Sequence, residues 1–178
     1  MARNVEIKAR ITDLAAMGRL VAGAADGPPE SLAQTDTFFQ VGSGRLKLRE
    51  ATGARAELIY YRRPDLPGPA ESRYETVAVA DAGALRDLLA SALGTCGRVS
   101  KRRLVYRVGR TRVHLDEVAG LGDFLELEVE LETDQPIAAG VEEAQRLMSR
   151  FGIPEDALVP EAYVDLLNRD AGPAGTRA

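Results

Sequence analysis

The chain has 178 residues, 45% of them hydrophobic, which suits one domain with its own core and excludes a chain disordered throughout. Its 27 acidic and 23 basic side chains give a net charge of -4, which argues against bulk binding of a nucleic-acid polymer. One cysteine and one histidine exclude a disulfide framework, a cysteine-based zinc cluster and a multi-histidine metal site.

No apolar run approaches the ~20 residues of a membrane span, and the first residues lack the apolar stretch of a signal peptide. A cytoplasmic protein with no membrane partner is therefore expected.

The first strand is predicted over residues 3–11. Val5, Ile7, Ala9 and Ile11 share one parity; Asn4, Glu6, Lys8 and Arg10 share the other. Thr12 and Asp13 offer a helix N-cap, Leu14, Met17 and Val21 follow at helical spacing, and Gly23 stops the helix. Strands are predicted over 32–41, 45–49, 57–63 and 72–79, separated by turns at Gly42-Ser43-Gly44 and Thr52-Gly53 and by the proline-rich run 64–69. Asp81 caps a helix that places Leu85, Leu88 and Leu89 on one side and ends at Gly94. A hairpin is predicted over 99–118 with Gly109 near its tip, then a strand over 123–131. Helices follow over 141–151 and from Pro160 to about Asn168, the proline in a first-turn position.

The strands share an unusual feature. One face is apolar and the other densely charged: Glu6, Lys8, Arg10; Arg45, Lys47, Arg49; Lys101, Arg103, Arg107; Arg110, Arg112, His114, Asp116; Glu126, Glu128, Glu130. An open antiparallel sheet with one solvated face is the plain explanation. Three details favour closure. About eight strands suffice for a barrel. Amphipathic helices need apolar strand faces and so belong outside. The charges are also sorted by sign, with carboxylates on the first and last strands and mostly Arg and Lys between. A closed sheet makes the charged face a lumen. Unpaired buried ions there would be very costly, so a cationic lumen calls for a polyanion. Carboxylates beside that anion call for a divalent cation between them.

Val5-Glu-Ile-Lys-Ala-Arg10 resembles the ExExK strand of the CYTH, or triphosphate tunnel metalloenzyme, superfamily. Gly44-Arg-Leu-Lys-Leu-Arg-Glu50, Leu58-Ile-Tyr-Tyr-Arg-Arg-Pro-Asp65 and Lys101-Arg-Arg103 match its basic strands in order. Arg112-Val-His-Leu-Asp-Glu-Val118 and Leu121-Gly-Asp-Phe-Leu-Glu-Leu-Glu-Val-Glu130 look like its closing strands. The resemblance runs from about Asn4 to Leu167 and is nearest the class IV adenylyl cyclase-like branch.

It implies an α+β fold: an eight-stranded antiparallel barrel, the triphosphate tunnel, with helices packed outside. A single tunnel domain would span 1–169, with a flexible tail over 170–178. Glu6, Glu126 and Glu128 would hold Mg²⁺ or Mn²⁺. Lys8, Lys47, Arg49, Arg63, Lys101, Arg103 and Arg112 would contact phosphates. Lys8, Arg112 and Asp116 would serve catalysis, Asp116 near the metal or the reacting phosphate. The substrate would be ATP, cyclised to cyclic AMP and pyrophosphate. The alternatives are a triphosphatase acting on tripolyphosphate, thiamine triphosphate or a nucleotide, and a non-catalytic polyphosphate binder. A homodimer is compatible with the family.

Asn4 departs from the pattern, because the family's first glutamate falls there. An amide carries no charge, which weakens a second metal site. Arg62 and Arg63 lie on opposite parities, and a bulge would exchange them. His114 is either a general base or a hydrogen-bond partner of Asp116, and the second role is favoured. Phe38, Phe39, Tyr60 and Tyr61 are candidates to stack on a base or to fill the core.

Overall fold

The computed structural model describes residues 2–170. The tail expected over 170–178 lies, apart from Asp170, outside the described residues.

Eight strands close into one antiparallel barrel. In chain order they are β1 (Ala2–Arg10), β2 (Glu30–Phe39), β3 (Arg45–Ala51), β4 (Ala56–Arg62), β5 (Ala70–Val79), β6 (Thr95–Val108), β7 (Thr111–Val118) and β8 (Gly122–Leu131). Around the barrel the order is β1, β5, β4, β3, β2, β6, β7, β8, and β8 returns to β1. Closure removes the exposed edges an open sheet would carry. It also places the acidic first and last strands side by side: Glu6 stands opposite Glu128, and Lys8 opposite Glu126.

Four α-helices are described: α1 (Leu14–Ala22), α2 (Ala82–Leu93), α3 (Ile137–Phe151) and α4 (Tyr163–Asp170). Asp13 and Asp81 cap α1 and α2, accepting from the backbone N–H groups of Ala16 and Ala84. The main core lies between barrel and helices. Ile7, Leu115, Leu125 and Leu127 from the strands meet Val21 of α1 and Leu147 and Phe151 of α3. Packing is close where α3 crosses β1: a Cβ on Gly140 would fall 2.6 Å from Val5 Cγ2. No helix among the described residues is long and apolar enough to cross a membrane.

Two helix expectations need correction. The proline at 160 does not start the last helix, which begins at Tyr163; Pro160 instead offers its carbonyl to Arg63. The predicted apolar side of α2 is only partly covered: Leu85 and Leu89 are half-buried and Leu88 is 64% exposed. Helical spacing shows that a stripe exists, not that another surface covers it.

Candidate functional site

Strand alternation sends Glu6 and Lys8 of β1, Lys47 and Arg49 of β3, Lys101 and Arg103 of β6, Arg112 of β7, and Glu126 and Glu128 of β8 into one cavity of about 540 Å³. Arg63, one residue past β4, lines it too, while Arg62 is exposed. Parity runs unbroken through Glu57, Ile59, Tyr61 and Arg63, so no bulge exchanges the arginines. Phe38 and Tyr61 face the cavity; Phe39 and Tyr60 do not line it.

Six residues of the charged parity, Arg10, Arg45, Arg107, Arg110, Asp116 and Glu130, lie off the cavity lining. Arg45 reaches Asp65 and Asp165 at 2.7 Å, tying β3 to α4. Arg107 is exposed and 3.4 Å from Glu130, and Arg110 donates to the Ala139 carbonyl.

Asp116, expected near the metal or the reacting phosphate, lies outside the cavity lining with no exposed surface. It accepts from Arg103 Nε and NH2 at 2.6 Å each, from Lys101 Nζ at 3.1 Å and from the Tyr163 hydroxyl at 3.0 Å. Burial opposes ionisation, but Arg103 and Lys101 overcome it and hold its pKa at about 2. In this position Asp116 is paired with the Lys101 and Arg103 side chains.

Asp36 of β2 is paired in the same way on the other wall. It is 3% exposed and accepts from Lys47 at 2.9 Å and from Arg49 Nε at 3.0 Å. Burial works against its charge, yet Lys47 and Arg49 hold its carboxyl well below the usual range.

The start of α4 and the residues before it close one end of the barrel. Glu161 and Pro160 accept from Lys8 Nζ and Arg63 NH2 through their carbonyls, each at 2.7 Å. The Tyr163 ring stands 4.2 Å from Lys8 Nζ and 5.0 Å from Lys101 Nζ, in cation–π range. A Cβ on Gly97 of β6 would fall 2.5 Å from Val164 Cγ2, so glycine lets α4 approach this closely. Exposed Glu30, Arg55 and Thr76 line the cavity where it opens to solvent.

Asp36 and Tyr163 escaped sequence reading. A lone aspartate between Gln34 and Phe38 on a strand rich in Thr and Phe carries no charge pattern, although its parity was available. A tyrosine on a short amphipathic helix reads as core.

On the acidic side, Arg103 NH2 bridges to Glu126 Oε2 at 2.5 Å and Arg112 NH2 to Glu128 Oε2 at 2.8 Å. Burial opposes both charges, but Arg103 holds Glu126 well below its ordinary value, and the charged form of His114, then Arg112 and Arg103, lower the pKa of Glu128. Glu6 is 3.3 Å from Arg63; its pKa is raised, first by burial and then by Glu128 and Glu126.

His114 faces Glu126 and Glu128 rather than bonding Asp116. Burial and then Arg103 lower its pKa, favouring the neutral imidazole. Its buried Nδ1 has no hydrogen-bond partner among the described residues. A neutral nitrogen with no partner, turned toward two ionised carboxylates, fits a divalent cation.

Lys47 gives a pH signature. Burial, reinforced by Arg49, lowers its pKa from 10.5 to about 8 despite Asp36. The buried ammonium therefore lowers folding stability below pH 8, and the loss is relieved as pH rises from about 8 toward 10.5. An anion beside it reverses the shift. Tripolyphosphate binding is expected to weaken between pH 7.5 and 9.5 and to take up a proton there. Calorimetric titration in two buffers of different ionisation heat reads that proton; identical heats would contradict it.

A closed eight-stranded barrel thus encloses a cavity whose cationic wall faces carboxylates on its first and last strands. The family model for the CYTH domain matches residues 2–163, and the chain belongs to that family. It is 30% identical over 174 residues to adenylate cyclase CyaB of Aeromonas hydrophila, covering 90% of this chain and 86% of that one. Among solved structures, PH1012 of Pyrococcus horikoshii has the same fold, with a TM-score of 0.83, 23% identity, and 93% of this chain and 99% of that chain covered. HpAC1 of Hippeastrum, a protein with a dominant triphosphatase activity, superposes with a TM-score of 0.63 at 16% identity, covering 99% of this chain and 98% of that chain.

Proposed function

We propose that the chain is a metal-dependent phosphoryl-transfer enzyme that draws the triphosphate of ATP into the barrel and forms cyclic AMP and pyrophosphate. The observation that carries this reading is the cavity itself: Lys8, Lys47, Arg49, Arg63, Lys101, Arg103 and Arg112 converge on one space bordered by Glu6, Glu126 and Glu128. The similarity to CyaB over nine-tenths of the chain supports the cyclase form.

In this reaction the ribose 3′-oxygen bonds to the α-phosphorus, the α–β bridging bond breaks, and the hydroxyl proton passes to water. Arginines grip phosphate oxygens in pairs and lysines act as point charges. Asp36 and Asp116 hold those cations before substrate arrives, so little reorganisation remains for the transition state. Glu126 and Glu128, with Glu6 nearby, would hold Mg²⁺ or Mn²⁺, which supplies Lewis-acid stabilisation of the transferring phosphoryl group.

A triphosphatase is the second reading, and one observation favours it. The lumen rings Phe38 and Tyr61 stand 5.5 and 5.4 Å from Lys47 Nζ, and Tyr163 stands over Lys8 and Lys101, so all three already serve cations rather than a base.

Two measurements test the proposal. Tripolyphosphate at a hundredfold excess over its Kd should stabilise the chain by about 2.7 kcal/mol. For a domain of this size that raises Tm by roughly 5–10 °C. No shift at millimolar ligand would overturn binding in the cavity. Chromatography of ATP incubated with the chain and Mn²⁺ then separates the two chemistries. Cyclic AMP supports the cyclase, whereas ADP and orthophosphate alone replace it with the triphosphatase.

A further inference from the structure

The chain's single histidine is a donor that phosphate binding leaves unused. His114 is 4% exposed, and its Nδ1 lies 3.6 Å from Glu126 Oε2 and 3.7 Å from Glu128 Oε1. Both separations are too long for hydrogen bonds. They suit a shared ion instead: two donors each about 2.1 Å from a cation, at angles of 90–120°, stand about 3.0–3.6 Å apart.

The cluster is built into the sheet. His114 is the register partner of Glu126 on the neighbouring strand, and Glu128 is two residues further along. Arginines flank the carboxylates: Arg112 Nε donates to Glu128 Oε2 at 3.0 Å, leaving Oε1 toward the histidine, while Arg103 holds the Glu126 Oε2 that faces His114. Donor atoms from His114, Glu126 and Glu128 all lie within 4.8 Å of one another. Glu6 is outside that cluster, engaged by Arg63.

We propose that His114 ligates the cation through Nδ1 together with Glu126 and Glu128, and that this nitrogen makes the site prefer a transition-metal ion such as Mn²⁺ over Mg²⁺. The inference deepens the metal-dependent reading above and rests on it. Mg²⁺ is hard, dehydrates reluctantly and keeps oxygen ligands and water. An imidazole nitrogen in the first coordination sphere tilts the balance toward first-row transition ions.

With only one histidine in the untagged chain, isotope labelling is unambiguous. Pulsed EPR of Mn²⁺ bound to the chain is expected to show one nitrogen hyperfine coupling that changes when the histidine carries ¹⁵N. In competition, Mn²⁺ should bind about tenfold or more tighter than Mg²⁺, and His114→Asn should remove most of that preference while Mg²⁺ affinity stays within about threefold. The spectrum of the native chain decides even where the variant folds poorly. Bound Mn²⁺ without nitrogen coupling overturns the inference, as does failure of Mn²⁺ to bind with or without tripolyphosphate. Tripolyphosphate binding in EDTA separates the two readings. If it persists, only the histidine assignment falls; if it is absent, the triphosphate reading falls as well.

Discussion

Asp116→Ala is expected to destabilise the protein by about 3–5 kcal/mol, the usual cost of removing one partner from a buried ion cluster. The aspartate has no exposed surface and joins Lys101, Arg103 and Tyr163. Without it, among the described residues, Arg103 keeps only Glu126 as an acidic partner, and Lys101 is left buried with no salt-bridge partner. The effect depends on pH with a defined sign. The folded pKa of Asp116 is about 2, below its ordinary 3.8. Its ionisation therefore contributes about 2 kcal/mol above pH 4 and loses it as pH falls toward 2. Urea unfolding at pH 7 and pH 3 reads this difference. A variant as stable as the parent at pH 7 would remove Asp116 from the architecture of the cationic wall. Tripolyphosphate should rescue the variant with a larger thermal shift than it gives the parent, because the anion replaces the missing charge.

Glu126→Gln has the largest expected effect on turnover, a loss of about 10³-fold or more, since it removes a full charge from the candidate metal site. The amide is nearly isosteric, and Arg103 keeps its paired bonds to Asp116, so the fold should survive. Binding should part from catalysis. Metal-free affinity for tripolyphosphate should hold or rise, because the cavity becomes more positive. Steady-state kinetics beside calorimetry in EDTA make the comparison. Retained Mg²⁺- or Mn²⁺-dependent turnover would take Glu126 out of the metal site.

The barrel was legible in the sequence because period-two alternation wrote it twice, once in the apolar parity and once in the charged one. Val5, Ile7 and Ala9 pack outward while Glu6 and Lys8 line the cavity. The sorting of charge by sign also pointed to contact between first and last strands, and β1 does pair with β8. Alternation could not show depth. Asp116 shares the parity of His114, yet it sits behind the cavity wall, because facing the lumen and reaching it are different properties. Nor could it show what covers a surface: the stripe containing Leu88 looks like that containing Leu147, but only the second is buried. Closure of one end by Pro160, Glu161 and Tyr163 depends on main-chain carbonyls and a ring brought from more than 150 residues beyond Lys8. No local pattern encodes that meeting.

Phosphorus NMR of tripolyphosphate and of ATP, each incubated with the purified chain and Mg²⁺ or Mn²⁺, tests the central claim most directly. Metal-dependent loss of the triphosphate resonances is the expected result, with pyrophosphate and cyclic AMP from ATP marking the cyclase. Spectra unchanged by the protein with either metal, for both substrates, would contradict a catalytic tunnel.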